Sequence, residues 1–125
     1  MPILRSEDAP GFDLDGIAIR GFASPSRGAS ETMTWKIDLA PGQRLPEHTH
    51  DREEVFHVLD GRIGVSLDGS VAEVGPGDTV MIPAGVAQFA FADEPAASGS
   101  LLTVMPVGTM MIRPDGEQVA PPWTA

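Results

Sequence analysis

The residues best equipped for chemistry are His48, His50, Glu54 and, further along the chain, Gln88. There are only 3 histidines, and His48, His50 and His57 all fall within ten residues. His48 and His50 are two apart, so on an extended strand both imidazoles leave the same face. Side by side they form a chelating pair for a divalent metal, with nitrogen ligands at about 2.0–2.1 Å. Glu54 follows a short charged loop, Asp51-Arg52-Glu53, and can return a carboxylate from an adjacent strand. Two imidazoles and one carboxylate on one side of a metal make the facial triad of non-heme iron sites, with positions left for water or substrate. Strand parity separates His57 from this group. Glu54, Phe56 and Val58 share one face, whereas Val55, His57 and Leu59 point the other way. His57 is expected on an outer face or at a subunit interface. No Ser-His-Asp arrangement, phosphate loop or separate acid–base carboxylate pair competes with the cluster.

These side chains need strands to hold them, and the chain is punctuated for strands. Its Gly 14 and Pro 12 are spread between short apolar and β-branched runs. The clearest strand is Thr32–Leu39, where Met33, Trp35, Ile37 and Leu39 alternate with Thr32, Thr34, Lys36 and Asp38. Further strands are expected over 16–22, 44–50, 54–59, 63–67, 71–74, 79–82, 86–92 and 101–105. Asp60-Gly61 and Asp68-Gly69 read as hairpin turns. Residues 93–100 read as a small-residue loop, and the Pro- and Gly-rich stretch after Pro106 as a draped tail. No dozen residues sustain helical periodicity. The pattern predicts an all-β sandwich or barrel without substantial helix.

Composition narrows the possible roles. A length of 125 residues suits one domain and is too short for two stable cores. With 18 Asp+Glu against 8 Lys+Arg, the net charge of -10 opposes nucleic-acid binding. The absence of cysteine removes disulfides, thiolate metal sites and cysteine nucleophiles together. No stretch reaches the length of a membrane span, and residues 1–8 lack the pattern of a signal peptide. A soluble, cytoplasmic protein of one domain is expected.

The spacing around the histidines carries more. Gly42, five residues, His48-Thr49-His50, three residues, Glu54, six residues and Gly61 together resemble the first signature motif of the cupin superfamily. Gly77, five residues and Pro83-Ala84-Gly85 are similar to the second. The resemblance spans residues 33–105 and implies an antiparallel double-sheet barrel of jelly-roll type with a metal inside. It implies a motif-bearing core over about 30–106, with an N-terminal arm over 1–29 and a C-terminal tail over 107–125. The cofactor implied is a divalent transition metal: Fe, Mn, Ni or Zn.

One position departs from the family pattern: the third histidine of the second motif is Gln88, and the asparagine often found four residues later is Ala92. Gln88 has three readings. It is an amide ligand acceptable to Mn or Fe, a non-ligand that hydrogen-bonds a metal-bound water or a substrate beside an open three-ligand site, or the mark of a lost metal. Complete loss fits worst, because a buried carboxylate beside imidazoles would be costly without a cation. Met33, Trp35, Phe56, Met81 and Ala90 are candidates for the pocket wall, and Arg44 for orienting an anionic substrate.

The expected activity is that of a metal-dependent enzyme on a small chelating substrate, first of all a dioxygenase of an enol, diketone or aromatic compound. Glu54 would stay a ligand or swing off to accept a proton. The alternatives are isomerase, cyclase or lyase chemistry on a sugar acid or polyketide-like molecule, and a small-molecule-binding cupin without turnover. A homodimer is expected, because the apolar segments 16–22 and 104–112 exceed what one small core needs.

Overall fold

Among the described residues, short β-branched and aromatic runs broken by tight turns build twelve strands, each antiparallel to its neighbours. The structure is a computed structural model that describes residues 2–92 and 98–125. The strands are β1 (Gly11–Leu14), β2 (Ile17–Ala23), β3 (Thr32–Leu39), β4 (Thr49–His50), β5 (Glu54–Gly61) and β6 (Ile63–Leu67). They continue with β7 (Ser70–Val74), β8 (Thr79–Ile82), β9 (Gln88–Phe91), β10 (Gly99–Pro106), β11 (Met111–Ile112) and β12 (Gln118–Val119). The only helical pieces among the described residues are three short 3-10 turns.

One layer is a six-stranded sheet in the order β1-β2-β3-β10-β5-β8. The other consists of two three-stranded pieces, β7-β6-β9 and β12-β11-β4. Residues 44–50 stitch these pieces together. His48 and Gln88 exchange backbone hydrogen bonds of 2.9 and 3.1 Å, and β4 pairs with β11. Alternate residues face inward, as in β10, whose pattern is strictly buried then half-buried. Met33, Trp35, Phe56, Ile82, Leu101 and Met105 meet between the layers with Ile63, Val65 and Ala90. Burying each large apolar side chain contributes about 1.5–3 kcal/mol, so this interior is what keeps the layers together.

The turns divide into two kinds. Asp68 and Gly69 both have positive φ (48° and 84°) and close the β6–β7 hairpin, as an Asp-Gly loop should. Asp15-Gly16 does the same between β1 and β2, a hairpin the sequence reading missed along with strand β1. Asp60-Gly61, expected to be a hairpin, is not one. Strand β5 pairs with β10 and β8, while β6 pairs with β7 and β9, so Gly61 marks the corner where the chain changes layers.

Two further expectations need correction. Of the loop expected over 93–100, residues 93–97 lie outside the described residues, while Gly99 and Ser100 already belong to β10. The stretch after Pro106 does more than drape. Met111 and Ile112 pair with His50 and Thr49, and Trp123 is buried against the barrel.

Candidate metal centre

Glu54 opens β5 in the six-stranded sheet, whereas His48, His50 and Gln88 come from the opposite layer. The exposed loop 51–53 carries the chain from one layer to the other within three residues. Asp51 pins that loop: its carboxylate accepts from the Met110 N–H at 2.8 Å, and its own N–H donates to the Met110 carbonyl at 3.2 Å. The tail strand β11 is thereby held against β4 and its histidine.

Each donor is oriented by a neighbour. The Nδ1 of His48 lies 2.7 Å from the Pro46 carbonyl. A carbonyl only accepts, so Nδ1 carries the proton and Nε2 is left with a lone pair, the usual arrangement of a metal-ligating histidine. The His48 and His50 rings stand 4.7 Å apart, nearly perpendicular at 80°. Donor atoms of His48, His50 and Glu54 all lie within 4.8 Å of one another, close to the span of ligands around a single cation with bonds of about 2.0–2.2 Å. His50 and Glu54 are almost fully buried, and a carboxylate at that depth needs partners. The Gln88 amide donates to it, and His50 Nδ1 lies 3.1 Å away. Gln88 Nε2 donates to Glu54 Oε1 at 2.8 Å and lies 3.1 Å from His50 Nδ1. In this arrangement it is the amide nitrogen of Gln88, not its oxygen, that faces the other donors.

Burial disfavours the imidazolium of His48 and pushes its pKa below the ordinary histidine value. The Pro46 carbonyl opposes that shift, nearby His50 adds to it, and Glu54 and Glu47 work against it. At neutral pH the ring is therefore uncharged and available to a cation. The depressed value also ties stability to pH. As pH falls below the unfolded value of about 6.5, the unfolded chain takes up a proton that the folded chain resists, and stability is lost. The metal-free protein should lose Tm as pH falls below about 6.5, and His48→Asn should flatten that loss. Thermal melts across this range for both proteins measure the difference.

The cavity beside the cluster is lined by Met33, Trp35, Phe56 and Ala90, all expected there, together with His48, His50, Glu54 and Gln88. Arg44 and Met81 are not brought to it. Arg44 bridges to Phe91 and His48 to Gln88, so four steps on one strand oppose three on the other. This one-residue bulge between Arg44 and His48, a stretch that includes Pro46 with no N–H to donate, reverses the parity and turns Arg44 outward. There its guanidinium lies 5.2 and 5.0 Å from the ring centres of Phe89 and Phe91. Met81 is 64% exposed between inward-facing Val80 and Ile82. His57 points outward as parity required, with Nδ1 2.9 Å from Thr79 Oγ1. The sequence reading missed Thr103, Met105, Thr109, Met111 and Trp123, which also line the cavity. For Thr103 a signal existed, since it shares inward parity with Leu101 and Met105.

An antiparallel double-layer barrel with two histidines and a glutamate converging inside it defines a class, and the comparisons agree. A family model described as a cupin domain matches residues 35–104, and the chain belongs to that family. Auxin-binding protein 5 of Zea mays is 41% identical over 58 residues, covering 46% of this chain and 38% of that protein. The chain thus aligns with well under half the length of this relative. The uncharacterized protein MJ1618 of Methanocaldococcus jannaschii is 30% identical over 88 residues, covering 66% of this chain and 70% of its own. An acireductone dioxygenase of Rhodopseudomonas palustris is 46% identical over 43 residues, covering 31% of this chain and 26% of the relative. Among solved structures, the polyketide cyclase RemF from Streptomyces resistomycificus superposes with a TM-score of 0.77 at 23% identity, covering 96% of this chain and 82% of that one. KdgF from Halomonas sp. superposes with a TM-score of 0.67 at 22% identity, covering 83% and 93%. Among the described residues, no helix is long and apolar enough to cross a membrane.

Proposed function

We propose that this cupin is an enzyme that uses a divalent transition metal, Fe, Mn, Ni or Zn, to act on a small chelating organic molecule. The observation that supports it is the convergence of His48, His50 and Glu54 beside an apolar cavity. These three would hold the metal, which when bound supplies Lewis acidity or redox chemistry. The residues of the chain do the rest. Met33, Trp35 and Phe56 exclude water from the bound substrate. Glu54, buried and hydrogen-bonded to Gln88, would stay a ligand or swing off to accept a proton from an acidic C–H or O–H of the substrate. Of the readings of Gln88, the non-ligand is supported, because an amide N–H faces the centre and cannot ligate a cation, although its partner is the Glu54 carboxylate rather than the bound water or substrate expected.

A dioxygenase of an enol, diketone or hydroxy-aromatic compound is the first reading, supported by the local similarity to acireductone dioxygenase. Cyclase, isomerase or lyase chemistry is the second, supported by the similarity to RemF over nearly the whole chain. Metal-loaded protein incubated with acetylacetone and with hydroxylated aromatic ketones separates them. One equivalent of oxygen consumed per turnover supports the dioxygenase, and turnover under nitrogen supports the second reading. Saturable binding without turnover would leave a ligand-binding cupin and overturn the enzyme.

Gln88→Ala tests the donor role, since losing an outer partner of a ligand costs about 10–100-fold in metal affinity. Competition titration against a chromogenic chelator measures it, and unchanged affinity would remove Gln88 from the centre. A homodimer completes the proposal, on different grounds from those first expected. The apolar segments 16–22 and 104–112 are largely absorbed by the barrel, with Ile17, Ile19 and Met105 in its core. Support comes instead from outward-facing Leu59 and Met81, 45% and 64% exposed on neighbouring strands. Light scattering should give twice the chain mass of 13.2 kDa.

A further inference from the structure

Two residues that line the cavity each carry a buried polar atom without a partner. Among the described residues, Thr103 Oγ1 and Trp123 Nε1 are buried side-chain atoms without a hydrogen-bond partner. Thr103 is 1% exposed and Trp123 8%, and both line the cavity that holds the metal centre. Leaving a buried hydroxyl and an indole N–H unpaired is costly, so each calls for an explanation. Packing gives none. A valine would fill the Thr103 position without a polar atom, and a phenylalanine would serve against Phe12, whose ring centre lies 6.2 Å from that of Trp123.

Both groups are held where they are. Thr103 is central in β10, paired with Phe56 on one side and Trp35 on the other. Phe56 stands two residues from Glu54 on the same face, which puts Thr103 roughly 7 Å along the strands from the metal centre. Trp123 sits in the Pro122–Thr124 turn, fastened by Ser26, whose Oγ donates to the Ala125 carbonyl at 2.7 Å. The Trp123 backbone lies beside Gly21 of β2, and β2 is three strands from β5, roughly 14 Å across the sheet. The metal centre and the two donors are thus spread along one apolar cavity.

We propose that Thr103 and Trp123 are substrate-recognition residues, and that the ligand is a small molecule with acceptor oxygens at two places. One oxygen pair meets the metal centre, which rests on the reading above. A further carbonyl or ether oxygen, remote from that pair, accepts from the Trp123 N–H or the Thr103 hydroxyl. Trp123 can only donate, so it selects against a ligand that presents a donor or an apolar edge there.

The test uses juglone, whose peri hydroxy-ketone chelates while its second carbonyl is remote, and peri-hydroxytetralone, which lacks that carbonyl. Calorimetry on the metal-loaded protein should show juglone binding about tenfold more tightly. The advantage should fall below about threefold in Thr103→Val or Trp123→Phe, with metal content and tetralone affinity unchanged. Ligand-free Thr103→Val should also melt higher than wild type, because it removes an unpaired hydroxyl. Equal affinities in the wild type, no saturable binding of juglone, an advantage that survives in both variants, or a lower Tm for Thr103→Val would each overturn the proposal. Failure of the wild type to take up metal would overturn the metal reading instead, and elemental analysis reports that separately.

Discussion

His50→Ala should lower metal affinity by more than about 100-fold, beyond the range typical of losing an outer partner. The residue is almost fully buried between Gln88 and Glu54, and its ring stands against that of His48. Removing it leaves one imidazole and one carboxylate, too few donors to outcompete water around a transition metal at micromolar concentration. His57→Ala is the matched control. It deletes the same ring from the outer face of β5, where its partner is Thr79, and should leave metal content unchanged. Elemental analysis after dialysis, with a competition titration, reads both variants. Equal metal content in the two would mean that the histidine pair does not hold the ion.

Gly61→Ala should destabilise the fold by at least about 3 kcal/mol and lower Tm by roughly 10 °C. Gly61 has a φ of +73°, and a Cβ there would lie 1.8 Å from the Ser98 carbonyl oxygen and 2.7 Å from Gly99 Cα. Both obstacles are backbone, and the Ser98 carbonyl is occupied in accepting from the Arg62 N–H at 3.1 Å. The chain turns from one layer to the other at this point, so the strain cannot relax without opening the corner. Gly42→Ala supplies the contrast. Its φ of +83° is similar, but a Cβ there meets nothing within 4 Å, so the cost should be only about 1 kcal/mol. Similar losses in the two variants, measured by urea denaturation, would show that conformation rather than crowding is what matters.

The sequence by itself determined the strand alternation, the inward face of β3 and β5, the pairing of His48 with His50 and the exclusion of His57. All of these follow from the two-residue period of an extended chain, which is a local property. The outward position of Met81 was legible in the same way, since it alternates with Val80 and Ile82 and shares its face with Thr79. Other features required the tertiary structure. Parity alone places Arg44 with His48, and only the bulge against β9 reverses it. An Asp-Gly pair fits a hairpin or a corner equally well, and which one forms depends on which strands find each other across the barrel. The amide of Gln88 takes its direction from Glu54, thirty-four residues away in sequence and in the opposite layer. Trp123 reaches the cavity only because Ser26 and Phe12 receive the end of the chain. These are contacts between segments far apart in sequence, and a local period carries no record of them.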